Sequence, residues 1–183
     1  MTTQTRRLTY EEYLKTPEIK ARYDILDGVM TMAPAPTLGH QKILRQLFLM
    51  LHQFASEQHL GEVWFAPVDV IIQRDPLRTR QPDLLFVSNE HTSILGDQVD
   101  GAPDLVAEIL SPSNTRSDLE AKLSDYATLG VMECWLVSPE ARSIEVLTLA
   151  DGAWVRLAIS GLGDRIQSQV LPELNLEVAQ LFE

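Results

Sequence analysis

The sequence predicts a mixed α/β fold, and three observations predict it. Apolar runs of strand length, among them "DLLFVS", "DLVAEIL" and "ECWLVS", recur along the chain with turn residues between them. From Thr37 to about Gln58, Ile43, Leu44, Leu47, Phe48, Leu51 and Phe54 recur instead at helical spacing. Between Asp104 and Val137 a helical stretch joins two strand-like runs. The strands of such a unit should lie parallel, with a right-handed crossover.

Taken in order, "TYEE" (Thr9 to Glu12) is a capping box opening a short helix that Pro17 ends. "RYDILDGVMTMA" alternates around Asp27-Gly28, a hairpin signal. The long helix follows, with Gly61 as its stop. "EVWFAPVDVIIQ", "DLLFVS" and "DLVAEIL" read as three strands. "SDLEAKLSDYATLG" reads as a helix with Ser117 or Asp118 at its cap and Gly130 just past its end. "ECWLVS", "SIEVLTL" and "AWVRLAI" make the C-terminal half rich in strands, and a short helix lies near Glu177 to Phe182.

The chain of 183 residues is read as one domain spanning 1–183. Its 45% hydrophobic and 22% charged residues are ordinary for a globular protein. No apolar run approaches the roughly 18 residues that span a bilayer, and the N-terminal stretch has no apolar signal core, so a cytoplasmic location is expected. The single cysteine, Cys134, excludes a disulfide framework and a Cys-based zinc site, and its strand context suits a small core residue. The net charge of −11 opposes binding to nucleic acid at long range. A local basic group can override that average. The densest one is Arg74, Arg78 and Arg80 in "QRDPLRTRQPD", read either as a nucleic-acid contact or as a solvated loop.

Glu108 interrupts the otherwise apolar "DLVAEIL". A carboxylate there is costly unless a cation pairs with it. Asp83, after Pro82, opens "DLLFVS". If the two strands are neighbours, both acids can converge on one hard divalent cation such as Mg²⁺, which takes oxygen ligands and leaves room for waters and a substrate phosphate. A structural ion pair between Glu108 and an arginine or lysine competes with this, and spacing does not choose between them.

"QPDLLFVS" followed by "DLVAEILSPSNTRSDLEAKLSDYATLGVMECWLVSP" resembles the PD-(D/E)XK restriction-endonuclease-like superfamily. It looks most like a bacterial family named for restriction endonucleases. The hairpin "YDILDGVM" and the helix start "PTLGHQKIL" extend the similarity over nearly the whole chain. The resemblance implies a mixed central sheet flanked by helices and an Mg²⁺- or Mn²⁺-dependent nuclease that cleaves phosphodiester bonds, DNA being the favoured substrate. Asp83 and Glu108 match its metal-binding acids. The lysine expected two residues after the second acid is replaced by Leu110. Lys122 is the substitute, because it lies inside the stripe Leu119, Lys122, Leu123, Tyr126 and the family carries a lysine on this helix. A snorkelling lysine is the alternative.

His40, in the first turn of the long helix, matches a family histidine and is read as a phosphate or acid contact, or as a cap. Asp24 stands where the family usually has a glutamate and is treated as peripheral. Strand alternation would put Asp69 with Phe65 and Ile71, either behind the metal ligands or as a bonded structural aspartate. His52, His59 and His91 show no ligand spacing, and Asp104 begins its strand. The polar "SPSNT" loop is a possible phosphate contact or a plain linker. A homodimer is expected, since duplex cleavage needs two sites or re-binding and the strand-rich half offers edges. A different class of function, a non-catalytic nucleic-acid- or protein-interaction module on a nuclease scaffold, is suggested by Leu110 and the negative charge.

Overall fold

The computed structural model describes residues 7–17, 19, 21–112 and 115–183. Ser113 and Asn114 of the "SPSNT" loop lie outside the described residues. Helix α1 (Tyr10–Tyr13) starts on the Thr9/Glu12 capping box. Strands β1 (Tyr23–Leu26) and β2 (Val29–Met32) form the antiparallel hairpin. Asp27 and Gly28 both take positive φ, 51° and 77°, the twist that suits a two-residue hairpin turn. Helix α2 (Leu38–Glu57) is capped by the Thr37 side chain, which accepts from the His40 backbone N–H. Gly61 does not stop it. The left-handed residue past its end is His59, φ 55°, and Gly61 opens the next strand.

The run "EVWFAPVDVIIQ" is two strands, β3 (Gly61–Phe65) and β4 (Val70–Arg74), and they belong to different sheets. Proline has no N–H to give a ladder, so Pro67 marks the break. The arginine-bearing segment is no solvated loop: Leu77–Arg80 is strand β5. Strands β6 (Leu84–Ser88) and β7 (Leu105–Ile109) follow. Helix α3 (Arg116–Leu129) is capped by Thr115, with Asp118 as its capping-box partner, so the cap lies two residues before Ser117. Gly130 ends it in the left-handed conformation. Strands β8 (Glu133–Ser138), β9 (Ser143–Ala150) and β10 (Ala153–Ser160) and helix α4 (Val178–Leu181) complete the order.

A four-stranded antiparallel sheet runs β2-β1-β5-β4, and a six-stranded sheet runs β10-β9-β8-β7-β6-β3. Within the latter only β7 and β8 pair in parallel, around α3 as crossover. Alternation along β6 and β7 splits the core between two faces. Leu84, Phe86, Leu105, Ala107 and Ile109 pack with Ile43, Leu44, Leu47 and Leu51 of α2. Leu85, Val87 and Val106 pack with Tyr126 of α3, Cys134 and Leu136, and Cys134 is a buried core residue. No helix among the described residues is long and apolar enough to cross a membrane.

Candidate functional site

Glu108 follows Val106 on the α3 face of β7, as period two requires, and Leu110 joins the same cluster. Its oxygens meet two α3 side chains one turn apart. Lys122 Nζ donates to Oε2 at 2.7 Å, and Tyr126 Oη donates to Oε1 at 2.5 Å. The lysine in the apolar stripe therefore points at the acid rather than at solvent. Burial pulls the Lys122 ammonium toward neutrality, but the Glu108 charge and hydrogen bond, with Asp24 and Asp83 behind, lift its pKa above the ordinary lysine value. Burial and Glu108 together push the Tyr126 hydroxyl well above its ordinary pKa, so it stays a donor.

The antiparallel register pairs Leu84 with Ala107, and Asp83, one residue before β6, continues toward the level of Glu108. Asp83 is 2% exposed. Its Oδ1 accepts from Arg22 Nη1 at 2.5 Å, and its Oδ2 accepts from the Ile109 backbone N–H at 2.7 Å and lies 3.1 Å from His40 Nε2. Burial raises the Asp83 carboxyl, yet the His40 hydrogen bond, the Arg22 charge and the Ile109 N–H hold it below the ordinary carboxylate value. His40 Nδ1 is buried without a hydrogen-bond partner among the described residues. Arg22 also donates from Nη2 to the Gln81 carbonyl at 2.6 Å and feels the charge of Glu108 as well as that of Asp83.

Gln81 ties the outer acids to this centre. Its backbone N–H donates to Asp24 Oδ1 at 3.1 Å and its Nε2 to Asp69 Oδ1 at 2.9 Å. The alternation with Phe65 and Ile71 does not hold for Asp69, because the break at Pro67 places it in a loop. Its Oδ2 instead accepts from the hydroxyls of Tyr13 and Tyr23, 2.7 Å each. Asp24 pairs with Arg80 Nη1 at 2.8 Å.

The three arginines do not form one exposed basic group. Arg80 is 4% exposed and spans Asp24 and Asp125. Arg78 bridges Asp27 and Asp125. Arg74 is the exposed one, ion-paired with Asp100 and lying over the Tyr10 ring. At the opposite end of β6 and β7, His91 Nδ1 lies 2.7 Å from the buried Asp104, which also accepts from the Ser88 N–H.

Arg22 and Gln81 escaped the sequence reading. Their signals are slight: Arg22 shares Asp24's parity at the start of the hairpin, and Gln81 precedes Pro82-Asp83. Among the described residues no three His, Cys, Asp or Glu side chains form a ready metal cage. The carboxylates of Asp83 and Glu108, whose charges both act on Arg22 and Lys122, offer oxygen and no sulfur, which suits a hard cation that keeps waters in its remaining positions.

A family model described as "Uma2: Putative restriction endonuclease" matches residues 10–179. A crystal structure described as a putative nuclease belonging to DUF820 from Anabaena variabilis ATCC 29413 matches with a TM-score of 0.77 at 17% identity, over 96% of this chain and 97% of the other. At that identity the likeness speaks for the fold. No curated protein matches the chain.

Proposed function

The chain belongs to the Uma2 family of putative restriction endonucleases, and from that premise we propose that it is a divalent-metal-dependent nuclease, Mg²⁺ or Mn²⁺ being the ion and DNA the favoured substrate. One observation carries the reading: Asp83, just before β6, and Glu108, on the neighbouring β7, sit close enough that both charges act on Arg22 and Lys122, with Lys122 bonded to Glu108.

In this reading Asp83 and Glu108 hold the cation, which when bound supplies a polarised water and offsets charge at the phosphorus. The Ile109 N–H and His40 fix the Asp83 carboxylate, and Tyr126 fixes Glu108, so neither acid reorganises when substrate arrives. Lys122 takes the part of the lysine that Leu110 lacks. Its ammonium orients the attacking water or meets the charge growing on a phosphate oxygen. Asp24 and Asp69, joined through Gln81, act behind the ligands by positioning β1 and the Asp83 turn. Of the three arginines, Arg74 has its guanidinium placed to meet a phosphate from outside. The protein works as a cytoplasmic homodimer.

The test is Mn²⁺ calorimetry alongside cleavage of duplex DNA, single-stranded DNA and RNA in Mg²⁺ or Mn²⁺. Asp83→Asn and Glu108→Gln should each weaken Mn²⁺ binding at least about tenfold, since even the loss of a group behind a ligand costs that much, and abolish cleavage. Variants that bind Mn²⁺ as tightly as wild type would overturn the site. Leu110 and the charge of −11 favour a second reading, an interaction module that keeps the scaffold without the reaction. Metal binding with no cleavage of any of the three substrates would select it.

A further inference from the structure

We infer that Arg22 is an exchangeable counter-cation: it holds Asp83 while no metal occupies the acids, and passes to a substrate phosphate when a divalent cation takes them. The inference rests on the metal-dependent reading above and adds to it a residue that touches the substrate.

The two oxygens of Asp83 are held differently. Oδ2 is fixed by the Ile109 N–H and His40, groups that orient the carboxylate from inside the fold. Among the described residues, Oδ1 accepts from Arg22 alone. Releasing one guanidinium therefore frees one oxygen for a cation without disturbing the carboxylate's orientation.

Charge balance favours such a release. Asp83 and Glu108 are matched by Arg22 and Lys122, two against two. A divalent cation added to that set leaves two positive charges without an immediate partner, the next carboxylate, Asp24, being already paired with Arg80, a costly state in a site of low dielectric. Either a cation departs or an anion enters, and a phosphodiester brings a single negative charge. Arg22 is placed to do both jobs. Its side chain is 19% exposed against 3% for Asp83, and it comes from the chain entering β1, outside the six-stranded sheet. Its other bond is to a backbone carbonyl, so leaving strands no second charge. Lys122 is rooted in α3 among Leu119, Leu123 and Tyr126 and stays with Glu108. The planar guanidinium also fits two phosphate oxygens at once.

The test compares wild type, Arg22→Gln, Arg22→Lys and, as a control that removes a positive charge on the distant β10, Arg156→Gln. Mn²⁺ affinity is measured by calorimetry, melting is measured in EDTA and in saturating Mn²⁺, and binding of a short labelled duplex is measured in EDTA and in Ca²⁺. Arg22→Gln should bind Mn²⁺ about tenfold or more tighter than wild type, the size of one charge-assisted hydrogen bond no longer broken. Arg22→Lys should fall between the two, and Arg156→Gln should match wild type. The melting deficit of Arg22→Gln in EDTA should close in saturating Mn²⁺. Its duplex affinity should fall about tenfold in Ca²⁺ and not at all in EDTA. Equal or weaker Mn²⁺ affinity, a melting deficit that persists in Mn²⁺, or the same loss of duplex affinity in both conditions would overturn the exchange and leave the metal reading standing. If neither wild type nor Arg22→Gln takes up Mn²⁺, the metal reading falls and the exchange with it.

Discussion

At the residue scale, the energetic weight of each charge depends on what it leaves behind when removed. Lys122→Ala leaves Glu108 buried without its cation. With the lysine side chain 16% exposed, the loss should be about 1–3 kcal/mol, typical of a hydrogen bond to a charged group. Calorimetry should then show a melting temperature lower by roughly 2–10 °C. Adding Glu108→Gln to that variant should recover much of the loss, since an amide needs no counter-charge. The folded-state pKa of Lys122 is raised above 10.5, so its contribution is fully present below that pH and fades as pH rises through the folded value. The gap between wild type and Lys122→Ala should therefore hold across neutral pH and shrink only above 10.5. In kinetics the same change should abolish cleavage and spare Mn²⁺ affinity; residual cleavage near wild-type rates would remove Lys122 from the reaction. Glu108 and Lys122 were legible because each interrupts apolar residues, one a continuous strand-length run and one a stripe of helical period. Arg22 was not, because it breaks no pattern, and its partner Asp83 lies 61 residues away.

At the scale of elements, local chemistry was legible wherever it was self-contained. The Thr9 box, the Asp27-Gly28 turn and the Gly130 terminus need nothing beyond a few neighbouring residues. The hairpin turn is also where one atom decides the geometry. Gly28 has φ 77°, and a Cβ there would meet the Leu8 carbonyl oxygen at 2.9 Å and the Arg7 Cβ at 2.8 Å. Gly28→Ala should cost about 1–3 kcal/mol, read as a lower urea midpoint with an unchanged slope. Because β1 carries Asp24 and is entered through Arg22, Mn²⁺ affinity should change with it; a stable Gly28→Ala protein would show that the turn is not what sets the hairpin. The β4-β5 segment misled because three arginines in eleven residues look solvated. The carboxylates of Arg78 and Arg80, which are Asp24, Asp27 and Asp125, and Asp100, the partner of Arg74, arrive from other parts of the chain, and no local pattern announces them. Arg80→Ala should consequently act on stability, with a loss of about 1–3 kcal/mol, as half-buried Asp24 loses its cation and buried Asp125 is left with Arg78 alone. An Arg80→Ala protein that melts like wild type but binds DNA with a flatter salt dependence would make Arg80 a phosphate contact instead.

At the scale of the whole molecule, the six-stranded sheet has β3 and β10 as its terminal strands. An edge strand offers unpaired N–H and C=O groups to another chain and is commonly blunted by charge, proline or brevity. β10 is eight residues long, contains no proline and exposes Val155 and Ile159 by 51% and 56%. Arg156, its one charge, is tied to Glu145 of β9 rather than left to repel a partner. β3 is shorter, with Trp64 and Phe65 exposed on opposite faces, and Phe65 already leans on Phe48 of α2. The better edge for a two-fold partner is therefore β10, where an antiparallel copy would extend the sheet and cover both aliphatic side chains. Such a dimer would also supply the second active site that cutting both strands of a duplex calls for. Light scattering at micromolar concentration should give twice the chain mass of 20.6 kDa. A lysine at position 155 or 159 faces its own symmetry mate or loses its apolar cover, so Val155→Lys and Ile159→Lys should halve that mass. Neither should lower the monomer's melting temperature by more than about 2 °C, since both side chains are exposed in the single chain. A wild-type mass of one chain would remove the dimer, and a dimer indifferent to both lysines would move the contact to β3, with Trp64→Lys as the next variant to weigh.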